Sequence, residues 1–468
     1  MEYWVNIILL TENDTPLTGE KGKYMKNLQY RSTQTQVKHE ILTRYLDTWG
    51  GIILRGLIHS KYQHTWRFIY VDCFAYRGKY LGDKENIFRN DNLAGQVCGS
   101  PIIGIRALDK LAEYAASLGV QIVTNSILIE KDPNIYQDLK KTLDECGLHN
   151  RIQETNIFSS LQNSEIALIN ADVTTLGGQL VKYTNEKGSW AFYFIDPYGG
   201  SGIPFDFVKK VINGERHDVM INLIYEDLVR KTGMVLNNNI NPQLKQLVDY
   251  WKTAYGTNIW DQNVIKGIEE INDHRNLKEA LNSIPLDDME NTDLLTDEQL
   301  VEKRKKLLIE SYQQALRSMD PNIAIKLSAL QFPDKDRTMF YLFLTTHDPT
   351  GALAINQILY DAKLLEYELK YRYNILRRIP CGQMSLWNPV ENIPEQSSEQ
   401  RPTIDEIANE IFRCLKGQCL TKRQVYMNLI DTLYFPREVE KALGLLIKQG
   451  RVTFNGKLTH STQLQFVP

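Results

Sequence analysis

Two stretches of this chain run an apolar, strand-type segment straight into a polar turn containing glycine. The first is Phe68-Ile69-Tyr70-Val71-Asp72, continuing through Cys73-Phe74-Ala75-Tyr76-Arg77 to Gly78. The second is Phe192-Tyr193-Phe194-Ile195-Asp196, continuing through Pro197-Tyr198 to Gly199-Gly200. In an open parallel sheet, ligands bind outside the carboxyl ends of strands, where loops and helix N-termini offer unpaired N–H groups. A carboxylate at that edge can accept charge-assisted hydrogen bonds from ribose hydroxyls or orient an amine. Glu130 closes the run Ser126-Ile127-Leu128-Ile129, and Asp172 follows Ile166-Ala167-Leu168-Ile169-Asn170-Ala171. Four acids at strand ends point to a nucleotide-cofactor site.

Each acid also has a plainer reading. Asp132-Pro133 directly after Glu130 suits a helix start, so Glu130 can belong to a first helical turn. Asp172 can cap the helix of the Thr-rich turn that follows, and Asp196-Pro197-Tyr198 can be a strand-end turn that only shapes the cofactor pocket. Lys38 and His39 stand before a helix, and His347 and Asp348 follow a strand, where solvated loop roles are common. Cys73 beside Asp72 reads as a small buried residue, with no local base to activate it.

The elements that must position these groups follow from periodicity. Ile41, Leu42, Tyr45, Leu46 and Trp49 recur at helical spacing, so a helix precedes the first strand. Ser100-Pro101 reads as N-cap and first position of a helix reaching Leu118. Pro133 to Leu143 forms the next helix. Trp190 to Ile195 and Val219 to Ile224 read as further strands, and the alternation of strands with helices implies βαβ units and a parallel sheet. Ile323 to Phe332 and Thr338 to Thr345, joined by Pro333-Asp334-Lys335-Asp336, read as an antiparallel hairpin. A parallel sheet closed by such a hairpin is the layout of class I S-adenosylmethionine-dependent methyltransferases. Leu236 to Met319 is polar and helical, an inserted subdomain. Pro389 to Pro402 is rich in Pro, Glu, Gln and Ser and reads as a linker. Beyond it, Ile404 to Leu415, Thr421 to Leu429 and Pro436 to Gln449 give three amphipathic helices, and Arg451 to Leu458 a turn-centred hairpin, the order of a winged helix.

Composition bounds the reading. With 468 residues, 43% hydrophobic and 24% charged, the chain can build two or three ordinary globular domains. A formal net charge of −3 argues against a coat of basic charge, though it leaves room for a local patch. The six cysteines, Cys73, Cys98, Cys146, Cys381, Cys414 and Cys419, form no CxxC pair, so neither a disulfide framework nor a structural metal is indicated, and a reducing cytoplasm fits. The apolar run Val5 to Leu10 lacks a basic flank and is too short to span a bilayer, so no membrane partner is expected.

The residues resemble a known family. Lys38-His39-Glu40-Ile41-Leu42, Tyr45-Leu46, Trp49, Tyr70-Val71-Asp72-Cys73-Phe74-Ala75 with Gly78, Gly99-Ser100-Pro101 and Ile195-Asp196-Pro197-Tyr198-Gly199 look like the bacterial three-Cys-motif partner proteins, TcmP. The likeness covers roughly Lys38 to Tyr360, and the winged helix matches in kind. The Lys38 to Trp49 blocks, the Tyr70 block and the Asp-Pro-Tyr block are also similar to the enzyme that methylates adenine N6 in large-subunit ribosomal RNA.

The resemblance implies an α/β, Rossmann-like class I methyltransferase sheet with an inserted helical subdomain and a C-terminal winged helix. Its divisions are an N-terminal segment at 1–37, a core at 38–235, the insert at 236–319, the end of the core at 320–388, the linker at 389–402 and the winged helix at 403–468. Carried over residue by residue, Asp72, Phe74 and Gly78 fall on the first S-adenosylmethionine motif, Glu130 on the acid for ribose hydroxyls and Asp172 near the adenine amino group. Asp196, Pro197 and Tyr198 fall on the catalytic turn, beside which the adenine enzymes place a lysine matching Lys38. The implied function is methyl transfer to RNA or DNA, adenine N6 being the candidate atom, together with a radical-SAM-like three-Cys-motif protein.

The chain departs from the pattern twice. Relatives carry Gly where Tyr76 stands, and a Cβ there hinders close backbone approach to a cofactor. The usual amino-methyltransferase turn has two prolines between its Asp and its aromatic residue, whereas here one precedes Tyr198. These departures keep open a second expectation, a catalytically degenerate scaffold of the same fold that docks the three-Cys-motif protein.

Overall fold

The computed structural model describes residues 28–58, 65–83, 97–197, 203–225, 228, 249, 251–271, 273, 296–335, 337–378, 401–456, 459 and 461–467. An eight-stranded sheet organises most of them. Its strands are β1 (Trp66–Asp72), β4 (Ile122–Glu130), β5 (Ile152–Gln153), β6 (Ile166–Asn170), β7 (Ser189–Ile195), β8 (His217–Leu223), β9 (Ala324–Gln331) and β10 (Thr338–Thr346). A separate small ribbon pairs β2 (Lys79–Tyr80) with β3 (Val97–Cys98). The spatial order of the large sheet is β5-β6-β4-β1-β7-β8-β10-β9. Strands β5 to β8 run parallel with β1 and β4, while β10 is antiparallel to both β8 and β9.

Near-continuous apolar runs such as Phe68 to Val71 are what a strand buried on both faces requires. The period of two then sorts them. Ile69, Val71, Tyr193, Ile195, Val219 and Ile221 point into one core, with α4 (Val173–Thr184), α5 (Phe205–Ile212) and α6 (Asp297–Met319). Phe68, Tyr70, Phe192, Phe194 and Met220 point into the other, with α1 (Thr33–Leu57), α2 (Ser100–Ser117), α3 (Pro133–Glu145) and α7 (Pro349–Arg378). The result is a three-layered α/β sandwich. Trp251, Trp260, Leu308 and Tyr312 share the first core, so the described part of the insert is fused to the sheet.

The C-terminal unit builds a third core from α8 (Ile404–Leu415), α9 (Lys422–Asn428) and α10 (Pro436–Lys448), with the antiparallel order β11 (Cys419–Thr421), β13 (Gln463–Phe466), β12 (Val452–Phe454). Leu353 of α7 belongs to that core, which anchors the unit to the rest of the chain. Among the described residues no helix is long and apolar enough to cross a membrane.

Several expectations need correction. Lys38 and His39 lie inside α1, not before it, because Ser32 caps the helix earlier by accepting from the Thr35 N–H. Gly99 rather than Ser100 is the N-cap of α2. The strand before Asp172 ends at Asn170, and Asp172 is itself the N-cap of α4. The C-terminal hairpin is formed by β12 and β13, so its second strand lies beyond Leu458. The N-terminal segment up to residue 27, most of the linker and much of the insert lie outside the described residues.

Candidate functional site

The chain turns back across the sheet between β6 and β7, so the crevice beside β1 and β7 is its topological switch point. Asp72 pairs in register with Leu128 and Phe194, which sets Glu130 and Asp196 just beyond it on either side. Parallel pairing of β7 with β8, Ile195 opposite Ile221, brings Asn222 to the same rim. The sheet thus gathers Asp72, Glu130, Asp196 and Asn222 at one carboxyl edge.

Both carboxylate oxygens of Asp196 are engaged. Lys38 Nζ of α1 lies 2.5 Å from its Oδ2, and Asn222 Nδ2 donates to its Oδ1 at 2.6 Å. Lys38 is buried, with its ammonium 5.4 Å from the centroid of the Phe340 ring. Asn222 Oδ1 is buried and has no hydrogen-bond partner among the described residues. An orphaned buried acceptor costs about 1–3 kcal/mol unless a donor reaches it, and here it sits beside a carboxylate at the carboxyl edge of the parallel sheet. His39, next to Lys38, is buried against Tyr80, its Nδ1 likewise without a partner among the described residues. Burial first, then the Arg31 and Lys38 charges, hold the His39 imidazole well below its ordinary value, so it is neutral.

Asp72 is fully buried. It accepts from the Tyr70 hydroxyl at 3.1 Å and the Phe74 N–H at 3.3 Å. Burial pushes its carboxyl up to about 7 against the Ser100 side chain, the Phe74 N–H and the Tyr70 hydroxyl. Tyr70 is held in turn by Gly104 of α2, where a Cβ would lie 2.1 Å from the ring. Phe74 is half-buried and packs on the first core.

Glu130 ends β4 with Oε1 accepting from the Asp132 N–H at 2.8 Å and Oε2 from the Tyr76 N–H at 3.0 Å. Each oxygen keeps a lone pair, and burial raises the carboxyl despite the donors. Tyr76, the residue at the expected glycine, adopts φ 50°. The turn keeps the left-handed conformation natural to glycine although a tyrosine occupies it. The Arg77 guanidinium lies 4.9 Å from the Tyr76 ring centroid, and Arg77 Nε pairs with Asp138 at 2.9 Å. Gly78, at φ 71°, has a visible structural duty: a Cβ there would meet Leu139 Cδ1 at 2.8 Å, and its carbonyl accepts from the Gly99 N–H at 2.7 Å.

Asp172 stands apart from this cluster. Its Oδ1 accepts from the Thr174 N–H and hydroxyl, and its Oδ2 pairs with Lys131 at 2.9 Å. Burial would raise this carboxyl, but Lys131 and Thr174 outweigh it and hold it below the usual range. Pro197 is buried beside Asn222, Trp251 and Tyr312, whereas Tyr198 lies outside the described residues. Sequence reasoning missed Asn222, although a lone amide in the apolar run Val219 to Ile224 was a signal. Tyr80 and Phe340 carried none, since only the tertiary fold brings them to Lys38 and His39.

No protein-family model matches the chain, and no curated protein matches it. A solved structure it resembles is a Legionella pneumophila (strain Philadelphia 1) protein described by the family name DUF519. The likeness covers 72% of this chain and 93% of that one, at 12% identity and a TM-score of 0.33.

Proposed function

We propose that this chain is an S-adenosylmethionine-dependent methyltransferase-like protein that acts on an exocyclic amine of RNA or DNA, adenine N6 being the atom its acceptors suit. It works with a radical-SAM-like three-Cys-motif protein in the cytoplasm. The observation that carries the reading is the Lys38–Asp196–Asn222 cluster at the switch point, with its orphaned amide oxygen. Sheet order gives further support. Leaving out the short β5 and numbering the other seven strands along the chain gives 3-2-1-4-5-7-6, with an antiparallel hairpin closing a parallel sheet. The C-terminal helices and three-stranded sheet accord with a winged helix.

The residues present fit the cofactor. Glu130 is half-buried at the end of the second principal strand with lone pairs to spare for ribose hydroxyls, and Asp72 and Phe74 line the neighbouring turn. S-adenosylmethionine supplies an electrophilic methyl group on a sulfonium. Asp196 accepts one amine hydrogen, and Asn222 Oδ1 or the Pro197 carbonyl accepts the other, which aims the nitrogen lone pair. In the methyl transfer that this cofactor would support, Asp196 would take up the proton that the amine loses. Lys38 holds that carboxylate in place through their ion pair. The resemblance assigns the aromatic face for the base to Tyr198.

A scaffold role is the second reading, favoured by Tyr76 and by the engagement of both Asp196 oxygens. Incubating the protein with its three-Cys-motif partner, radiolabelled S-adenosylmethionine and total RNA or DNA, then digesting to nucleosides, separates the two. Label in an N-methylated nucleoside, lost in Asp196→Ala, is the expected result. Absence of label from every nucleoside, with partner binding intact, supports the scaffold.

A further inference from the structure

Strand β9 closes one side of the main sheet, and among the described residues no strand pairs with its outer side. Alternation along the strand identifies its outward groups. Phe332 N–H donates toward the hairpin to the Arg337 carbonyl at 2.9 Å, while Gln331 N–H turns the other way to Glu366 of α7 at 2.6 Å. Gln331's carbonyl also faces outward, accepting from Gln34 Nε2 at 3.0 Å. Residues two apart share a side, so the N–H and C=O of Leu327 and Ala329 face outward as well. These four groups border a groove of about 800 Å³ whose opposite wall is α7.

Natural proteins blunt an open edge with charge, proline or a covering element. This edge carries Leu327, Ser328, Ala329 and Leu330, with Ala329 exposed. Its one lysine, Lys326, is drawn away to the Ile430 and Thr432 carbonyls of the C-terminal unit. The helical wall presents tyrosines at 360, 367 and 371 and cations at 363, 370 and 378, against the single carboxylate of Glu366. On a helix this face runs about 27 Å from Tyr360 to Arg378. A strand edge, a parallel helical wall and a row of cations on a chain of net charge −3 select an extended, acidic occupant.

We infer that this groove binds an acidic peptide segment of another protein as an added β-strand, hydrogen-bonded to Leu327 and Ala329 with its carboxylates facing Lys363, Lys370 and Arg378. The tyrosines supply apolar contact to alternate side chains. The site is separate from the strand-end cluster and does not rest on the methyltransferase reading.

The test uses the full chain and a fluorescein-labelled heptapeptide of alternating Glu and Val, read by anisotropy. The same peptide N-methylated at alternate residues keeps charge and shape but loses its strand donors, and should bind about tenfold more weakly. Ala329→Pro removes an N–H that faces away from β10, a position where an edge strand tolerates proline, and should weaken the parent peptide by a similar factor. Arg378→Glu should weaken it and flatten its salt dependence. If Ala329→Pro lowers the melting temperature, slowed exchange of the Ala329 amide on peptide addition to the unaltered chain replaces that arm. Equal affinity for the N-methylated peptide, or no slowing at Ala329, overturns the proposal. Tighter binding of an eight-nucleotide oligo(dT) would also overturn it, marking the groove as a nucleic-acid track.

Discussion

Replacing Asp72 by Asn should stabilise the protein at pH 8 and slightly destabilise it at pH 4. Asp72 is fully buried, and burial lifts its carboxyl from 3.8 to about 7. A folded-state value above the unfolded one means that, between these limits, the native protein holds a proton the unfolded chain has released. Stability therefore falls as pH rises through this window, and the full penalty is present by pH 8. A shift of about 3 units at about 1.36 kcal/mol each gives roughly 4 kcal/mol as an upper bound. Asn keeps an acceptor for the Phe74 N–H but weakens the bond from Tyr70, a loss of about 1 kcal/mol. The net expectation is a gain of about 2–3 kcal/mol at pH 8, a melting-temperature rise on the order of 5 °C, and a loss of about 1 kcal/mol at pH 4. Calorimetric scans of both proteins from pH 4 to 8 read this directly. Equal destabilisation at every pH would refute the reasoning, because the carboxylate would then be contributing stability rather than drawing on it.

Asp196→Ala should abolish methyl transfer while S-adenosylmethionine affinity stays within about twofold, since the side chain acts on the acceptor; calorimetric affinity and turnover measured on the same sample separate these effects. Tyr76→Gly should be at least as stable as Tyr76→Ala, by about 1 kcal/mol, because only glycine relieves the left-handed turn; a more stable Ala variant in urea titration would mean the turn is unstrained. Burial lowers the Lys326 ammonium to about 8, below its unfolded value, so deprotonation favours the folded state as pH rises above 8. The stability difference between the unaltered protein and Lys326→Met should therefore shift toward the unaltered protein from pH 8 to 10, and a flat difference in thermal scans would place Lys326 in water.

Much of the sheet was legible because buried parallel strands leave continuous apolar runs, and Asp72, Glu130 and Asp196 do fall on one rim. What stayed hidden depended on long-range partners. Strand β4 begins earlier than its apolar run because the buried Asn125 is satisfied by the Gln162 carbonyl and the Tyr183 hydroxyl, both remote in sequence. The start of α1 was missed because its first turn is polar, with Thr33, Gln34 and Gln36 all buried by tertiary contacts. Asp172 illustrates the reverse case: capping chemistry visible locally, through Thr174, decided its position. At Tyr76 the residue type argued against a glycine-like turn, yet the fold imposes one, through the bond from its N–H to Glu130.

Titration calorimetry of S-adenosylmethionine into the unaltered chain and into Glu130→Ala tests the central claim most directly. The account predicts one site per chain, weakened by about 1.5–3 kcal/mol, or roughly 10- to 150-fold, when the carboxylate that meets the ribose is removed. Absence of binding heat with the unaltered chain, or equal affinity for the two proteins, would contradict it.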